Sequence, residues 1–341
     1  MISLENNKWY RTDLVDETEE FINHKTAEER ETLRESTGIK VLEEERGRVK
    51  ITRVDVDSSG AEEIGKKEGT YFTFTVPTLT PDDEEGFKQL GEVLAEELTT
   101  LHPFIKDNKD GKVLIIGLGN KTITPDAVGP LAIDELQNSA TSIQERCIIY
   151  APGVTGQTGY ETSSFIKALA EQIKPELVIV VDALATRASN RLCKTIQMTD
   201  TGIHPGSGVG NMRKEISKET IGCPVTAIGL PTVVDGPVLI ADAVDTLFQS
   251  IAAKIQEKNS PSSALSVTPW RPSDTSKVDL EVIKPIFGEW STWPKEERLQ
   301  LFEESLVGHD RLFVTPKNID EWVHNYAYLI SDTLTEWIES T

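Results

Sequence analysis

Cysteine is scarce in this chain: Cys147, Cys193 and Cys223 are widely spaced and form no C-x-x-C pair. Neither a disulfide framework nor a zinc knuckle is indicated, and buried free thiols are expected. Long apolar runs are missing as well. None reaches the roughly 20 residues that span a bilayer, and the amino terminus MISLENNKWYRTDLVDETEE has neither a basic start nor an apolar secretory core. A cytoplasmic location without a membrane partner is the expectation. Positive charge is in deficit, because 35 Lys and Arg face 56 Asp and Glu for a net charge of −21. Affinity for phosphate backbones comes from Lys and Arg releasing counterions, so direct nucleic-acid binding is a poor reading. The five histidines are scattered.

What is there is patterned. Residues 1–48 are polar and Glu-rich and read as an arm. Val49–Val56 and TYFTFTV at 70–76 alternate apolar with polar residues, the period of half-buried strands. DSSG at 57–60 reads as a turn, and Thr80, Pro81 and the acidic run Asp82–Glu85 as a helix start, with Phe87, Leu90, Leu94, Leu98 and Leu101 on one face. Four runs suited to strands buried on both faces follow: VLIIGL at 113–118, CIIY at 147–150, LVIVV at 177–181 and VTAIGL at 225–230. Helical stripes lie between and after them, one formed by Phe165, Ile166, Leu169, Ala170 and Ile173 and another running from Val238 to Ile255. LCKTIQMT at 192–199 alternates and reads as an edge or antiparallel strand. Such alternation predicts an α/β fold, a mostly parallel central sheet flanked by helices, spanning residues 49–258. Residues 259–341 read as a Ser/Pro-rich loop and a helical part packed on that domain, ending in a helix that carries Ile319, Trp322, Val323, Tyr326, Leu329, Ile330, Leu334 and Trp337 on one face.

In an open parallel sheet the functional crevice lies beyond the carboxyl ends of the strands. That rule selects Asp126, Asp182 and Asp235. Each has an ordinary reading as a helix cap, strongest for Asp235 before Gly236 and Pro237. Chemistry is favoured for Asp126 and Asp182 because they come from separate strand ends. Two close carboxyls do not both ionise easily, so one holds a proton while the other activates water, as peptide hydrolysis requires. A set of Asp126, Asp182 and His204 is the competing metal reading. Gly117-Leu-Gly119 is a weak dinucleotide signal, since Thr122 stands where a third glycine belongs. HPGSGVGN at 204–211 lacks a Walker lysine and reads as a substrate-contacting or structural loop; a non-enzymatic protein using these glycine loops is a further alternative. Asp200-Thr201-Gly202 spells the triplet of pepsin-like proteases, whose all-β fold does not match this pattern.

The blocks GLGNKTITPDAVGP, YAPGVTGQTGYETS, VIVVDALATR, GIHPGSGVGNMRKEIS and IGLPTVVDGPVLI together resemble the germination proteases of spore-forming Firmicutes, which degrade small acid-soluble spore proteins. The resemblance implies an atypical aspartic endopeptidase without a cofactor, on a fold related to hydrogenase-maturation proteases. The T-P-D-A and V-D-A-L blocks put the catalytic carboxylates at Asp126 and Asp182, the pair that strand-end position selects. It further implies a homotetramer in the forespore and spore core, made as a zymogen that trims its own amino terminus. Cleavage after an acidic residue is expected, so YRTDLVDE predicts a cut between Asp13 and Leu14, making residues 1–13 a propeptide and 14–48 the arm. An acidic residue before the cut calls for a cation, with Arg187, Arg213 and Lys214 as candidates. Thr155, Gly156, Ser207 and Gly208 are candidate substrate contacts, the amides near Gly156 or Gly208 being candidate oxyanion donors.

Overall fold

The computed structural model describes residues 38–108, 111–138, 141–153, 161–206, 214–257, 278–307 and 311–341. The expected propeptide and most of the Ser/Pro-rich segment lie outside the described residues. The chain divides into two compact units, residues 1–186, 190–233 and 315–341 in the first and 187–189 with 234–314 in the second.

Eight strands form the main path of the sheet: β1 (Ile39–Arg46), β2 (Val49–Val56), β3 (Gly69–Thr75), β4 (Val113–Gly117), β5 (Cys147–Tyr150), β6 (Leu177–Thr186), β7 (Thr195–Thr199) and β8 (Val225–Asp235). Their order is β1-β2-β3-β7-β8-β6-β4-β5. The sheet expected from the alternation is present, and it is mixed in direction. β4 runs parallel to β5 and β6, whereas β1, β2, β3, β7 and β8 pair antiparallel in succession. The strand expected at an edge or antiparallel, β7, is antiparallel to both neighbours and interior to the sheet. The arm expected to reach residue 48 gives way at Ile39 to β1, where Ile39 is buried and the Glu43–Glu45 run is exposed, a charged edge of the kind that discourages further pairing.

Seven longer helices are α1 (Ser58–Ile64), α2 (Glu84–Leu101), α3 (Val128–Asn138), α4 (Thr162–Ile173), α5 (Gly236–Glu257), α6 (Lys295–Ser305) and α7 (Ile319–Ser340). The DSSG segment expected as a turn starts α1 instead, because the Asp57 carboxylate accepts from the Ser59 and Gly60 amides at 2.9 and 3.1 Å. α2 begins at Glu84, inside the expected start Thr80–Glu85, capped by Asp83 on the Gly86 amide at 3.0 Å.

On one face of the sheet α2, α3 and α7 cover a core that includes Ile51, Phe74, Ile115, Ile179 and Val181. All eight apolar residues predicted for the last helix are buried there. Full burial of such side chains stabilises by roughly 2 kcal/mol each, together comparable with the net stability of an ordinary domain, about 5–15 kcal/mol. The Tyr326 hydroxyl donates to the Cys193 carbonyl at 3.1 Å, satisfying its one buried polar group. On the other face α4 packs on Leu114, Ile116, Val178 and Val180 through Ile166 and Ala170. Phe165, expected within that buried stripe, is 39% exposed. All three cysteines are free, and burial pushes the Cys147 and Cys193 thiols up to about 12. No helix among the described residues is long and apolar enough to cross a membrane.

The second unit holds α5, α6 and the short strand β9 (Phe313–Val314), which pairs with Val234 and Asp235 at the end of β8. Its small core is Phe248, Ala252 and Ile283 with Phe287 and Trp290 around them. Arg298 is buried beside it, donating to the Trp293 and Ser291 carbonyls at 2.6 and 3.3 Å and pairing with Asp245.

Candidate active site

β4 ends at Gly117, and Leu118 follows with its amide donating to the Val181 carbonyl at 2.8 Å. The chain then loops through Asn120 to a 3-10 turn, Thr124–Asp126, before α3 begins. Two glycines let this loop close. Gly119 has φ +118°, and a Cβ there would stand 2.0 Å from the Asp126 carbonyl oxygen. Gly129, in the first turn of α3, is in such close contact that a Cβ would meet the Leu118 and Val181 carbonyl oxygens at 2.3 and 2.6 Å. The G-x-G and A-V-G pattern thus serves close backbone approach, with no need of a phosphate to explain it. The Asn120 amide donates to both the Asp126 carbonyl, at 3.0 Å, and the Asp126 Oδ2, at 2.8 Å. The half-buried Asp126 carboxylate is thereby fixed in orientation above the strand end.

Asp182 enters from the neighbouring strand. Gly117 stands opposite Val181 in the parallel β4–β6 pair, so Asp182 is the next residue up and level with Leu118. The strand does not stop where the apolar run does. β6 continues to Thr186, which places Asp182 inside a strand and removes the helix-cap reading. Its side chain is 6% exposed, with Oδ1 accepting from the Ala183 amide at 2.9 Å. The 3-10 turn that carries Asp126 packs against β6. Strand-end position selects these two along with Asp235; the Asn120 amide and the Leu118–Val181 bond were not foreseen, since backbone donors leave no mark in residue type.

Of the other candidates, some have charged partners of their own and some lie outside the described residues. Asp235 is the last residue of β8 and belongs to the second unit, where the Arg311 guanidinium pairs with it at 2.7 Å; β8 runs five residues beyond VTAIGL, so the expected strand end was misplaced. His204 is exposed, 3.8 Å from Glu215, at the foot of a loop closed by the Ile203–Ile216 bridge. Among the described residues no three of His, Cys, Asp and Glu are gathered so as to hold a metal ion. The set Asp126, Asp182 and His204 is thus not assembled. Arg187 belongs to the second unit, where its charge counters the upward push of burial on the Glu303 carboxyl. Lys214 is exposed; its neighbours Glu215 and Glu219 pair with Lys67. The Lys67 hydrogen bond, foremost, lowers Glu219 to about 2. Arg213, Thr155, Gly156, Ser207, Gly208, Asp13 and Leu14 lie outside the described residues. Asp200 of the D-T-G triplet accepts from the Thr70 amide at 2.8 Å, and burial raises its carboxyl; that bond ties the end of β7 to β3.

Comparison with known proteins gives a consistent picture. A family model described as germination protease matches residues 15–340. The germination protease of Bacillus subtilis (strain 168) is 40% identical, over 95% of this chain and 92% of its own. Those of Halalkalibacterium halodurans and Geobacillus sp. (strain WCH70) are 38% and 36% identical over the same shares. Among solved structures, the [NiFe] hydrogenase maturation protease HycI from Thermococcus kodakarensis KOD1 aligns with 36% of this chain and 74% of its own at 23% identity and a TM-score of 0.27.

Proposed function

The chain belongs to the germination protease family, and from that premise we propose that it is an endopeptidase of small acid-soluble spore proteins in which Asp126 and Asp182 activate water. That it is a protease follows from the family, and the non-enzymatic glycine-loop alternative falls with it. One observation supports the pair above other candidates: the turn bearing Asp126 is packed on β6, the strand bearing Asp182, and the preceding residues of both strands are joined by the Leu118–Val181 bond.

In this reading the ionised carboxylate takes a proton from a water whose oxygen attacks the peptide carbonyl carbon. The protonated partner supplies a proton to the carbonyl oxygen; as the C–N bond breaks, the first carboxyl passes the proton it took from water to the departing amine and the partner takes back a proton from the diol. The chemistry requires two carboxyls and a water. Zymogen processing at Asp13/Leu14, the homotetramer and the forespore location rest on the family resemblance. The net charge of −21 favours capture of substrate released from DNA, because the protein is repelled by the phosphate backbone.

Incubation with a peptide bearing Thr-Glu-Ile-Ala, followed by mass spectrometry of the products, tests the reading. Cleavage after Glu is expected for the parent chain. Asp126→Asn and Asp182→Asn should each lower kcat by several orders of magnitude while leaving the melting temperature close to the parent's. Full cleavage by both variants sinks the two-aspartate mechanism.

A further inference from the structure

The parallel half of the sheet ends in an aromatic pair that the proposed chemistry does not use. β5 is the last strand on its side, and among the described residues no strand pairs beyond it. Its final residue, Tyr150, is 38% exposed and stacks on Phe165 of α4 at a ring-centroid distance of 5.3 Å; Phe165 is 39% exposed. Two large rings stacked together and each left more than a third exposed, at the edge of a face otherwise filled by buried aliphatic side chains, are not needed to close the core.

The strand register locates this pair relative to Asp182. Tyr150 is opposite Ile116, and Ile116 is opposite Val180. Side chains alternate along a strand, so Tyr150, Ile116 and Val180 form one row and Leu118 and Asp182 belong to the next row on the same face. That face is the one covered by α4, whose Ile166 and Ala170 pack on it. Tyr150 is therefore two strands across from Asp182 and two residues down. With strands about 4.8 Å apart and a rise of about 3.3 Å per residue, the separation is roughly 12 Å. An extended peptide covers that in three to four residues.

Resting on the reading of Asp182 as catalytic, we propose that the Tyr150–Phe165 pair is a substrate subsite that takes an apolar side chain three or four residues from the cleaved bond. The occupant is an extended polypeptide. A chain lying across the strand ends from Asp182 toward β5 reaches the rings with its third or fourth residue. The rings there supply a preference for one kind of side chain. A single apolar group against such a surface discriminates by about tenfold.

The test uses the full, active chain and peptides that share one cleavage sequence but vary at the third and fourth residues on each side of the cut. The parent should cleave peptides with Leu or Phe at one of these positions about tenfold better than peptides with Ser there. Tyr150→Ser and Phe165→Ser should each erase that preference through a rise in KM for the apolar peptides, and Tyr150→Phe should restore it. Phe165 lies on an exposed helix surface, so its variant reports even where Tyr150→Ser perturbs β5. A parent that cleaves with a flat profile, or Ser variants that keep the parent's profile, overturns the subsite. Such outcomes leave the two-aspartate reading standing. Cleavage by both Asp→Asn variants would instead remove that reading and with it the reference point from which the subsite is placed.

Discussion

Replacing Gly119 by alanine should disable the enzyme while leaving it folded. The backbone at Gly119 has φ +118°, a conformation that costs a residue with a Cβ about 1–2 kcal/mol. The new Cβ would also stand 2.0 Å from the Asp126 carbonyl oxygen and 3.1 Å from its Oδ1, whereas real contacts of this kind essentially never fall under 3.0 Å. The Asp126 turn must therefore retreat by about 1 Å, a misplacement that costs on the order of 100-fold in rate when it moves a reacting group. Instability alone does not produce that loss. A domain with about 5–15 kcal/mol in hand remains almost wholly folded after losing 2. The assay is kcat/KM on the Thr-Glu-Ile-Ala peptide at 25 °C beside a denaturant melt. Gly65→Ala is the control, since Gly65 has φ +66° and nothing within 4 Å of a new Cβ; it should lose about 1 kcal/mol of stability and keep the parent's rate. A Gly119→Ala enzyme as fast as the parent would refute the claim that this loop is closed to position Asp126.

Burial lowers His102 to about 4, so the folded chain holds this imidazole neutral, beside Thr226. Its contribution to stability is complete above the unfolded value near 6.5 and is lost as pH falls from there to about 4, at about 1.4 kcal/mol per unit. The loss totals about 3 kcal/mol, and His102→Gln should flatten the slope of denaturation midpoint over that window; equal slopes would count against it. Arg298→Ala should cost the second unit about 3 kcal/mol or more, because it leaves Asp245, already pushed up by desolvation, without its guanidinium. Hydrogen exchange should quicken across residues 278–305, and a change within 0.5 kcal/mol would mean the pair does not hold that unit. Intact mass after self-processing should show loss of residues 1–13, and any other new terminus would move the site from Asp13/Leu14.

The fold was legible wherever burial is one-sided or complete. Eight residues at helical spacing from Ile319 to Trp337 announce a helix with one apolar face, and VLIIG admits little but a covered strand. The mixed direction of the sheet was legible only in part: the alternation of LCKTIQMT marked β7 as edge or antiparallel, while that of β3 is the same whether its neighbour runs with or against it. The two-unit division was hidden for a related reason. α5 shows an ordinary apolar stripe, and nothing in the stripe says that it packs on Ile283 and Trp290.

The ends of β6 and β8 were misread in the same direction, and the error bears on function. LVIVV and VTAIGL mark only the parts of β6 and β8 that lie deep in the core; both strands continue through mixed residues to Thr186 and Asp235. An apolar run locates the middle of a buried strand, while its upper end is where polar groups are tolerated. Placing the carboxylate there changes the argument about Asp182. A loop residue would owe its position to the loop, but Asp182 is fixed by the pairing that sets Val181 opposite Gly117 and by a helix-covered face below it. Rigid elements hold catalytic groups to tighter tolerance than loops do. Asp126 has no strand to hold it, and the Gly119 approach and the Asn120 amide supply the corresponding constraint. The two carboxyls are thus positioned by different means, one by sheet register and one by a glycine-closed turn. Substitutions around Asp126 should for that reason degrade activity more readily than comparable changes flanking Asp182.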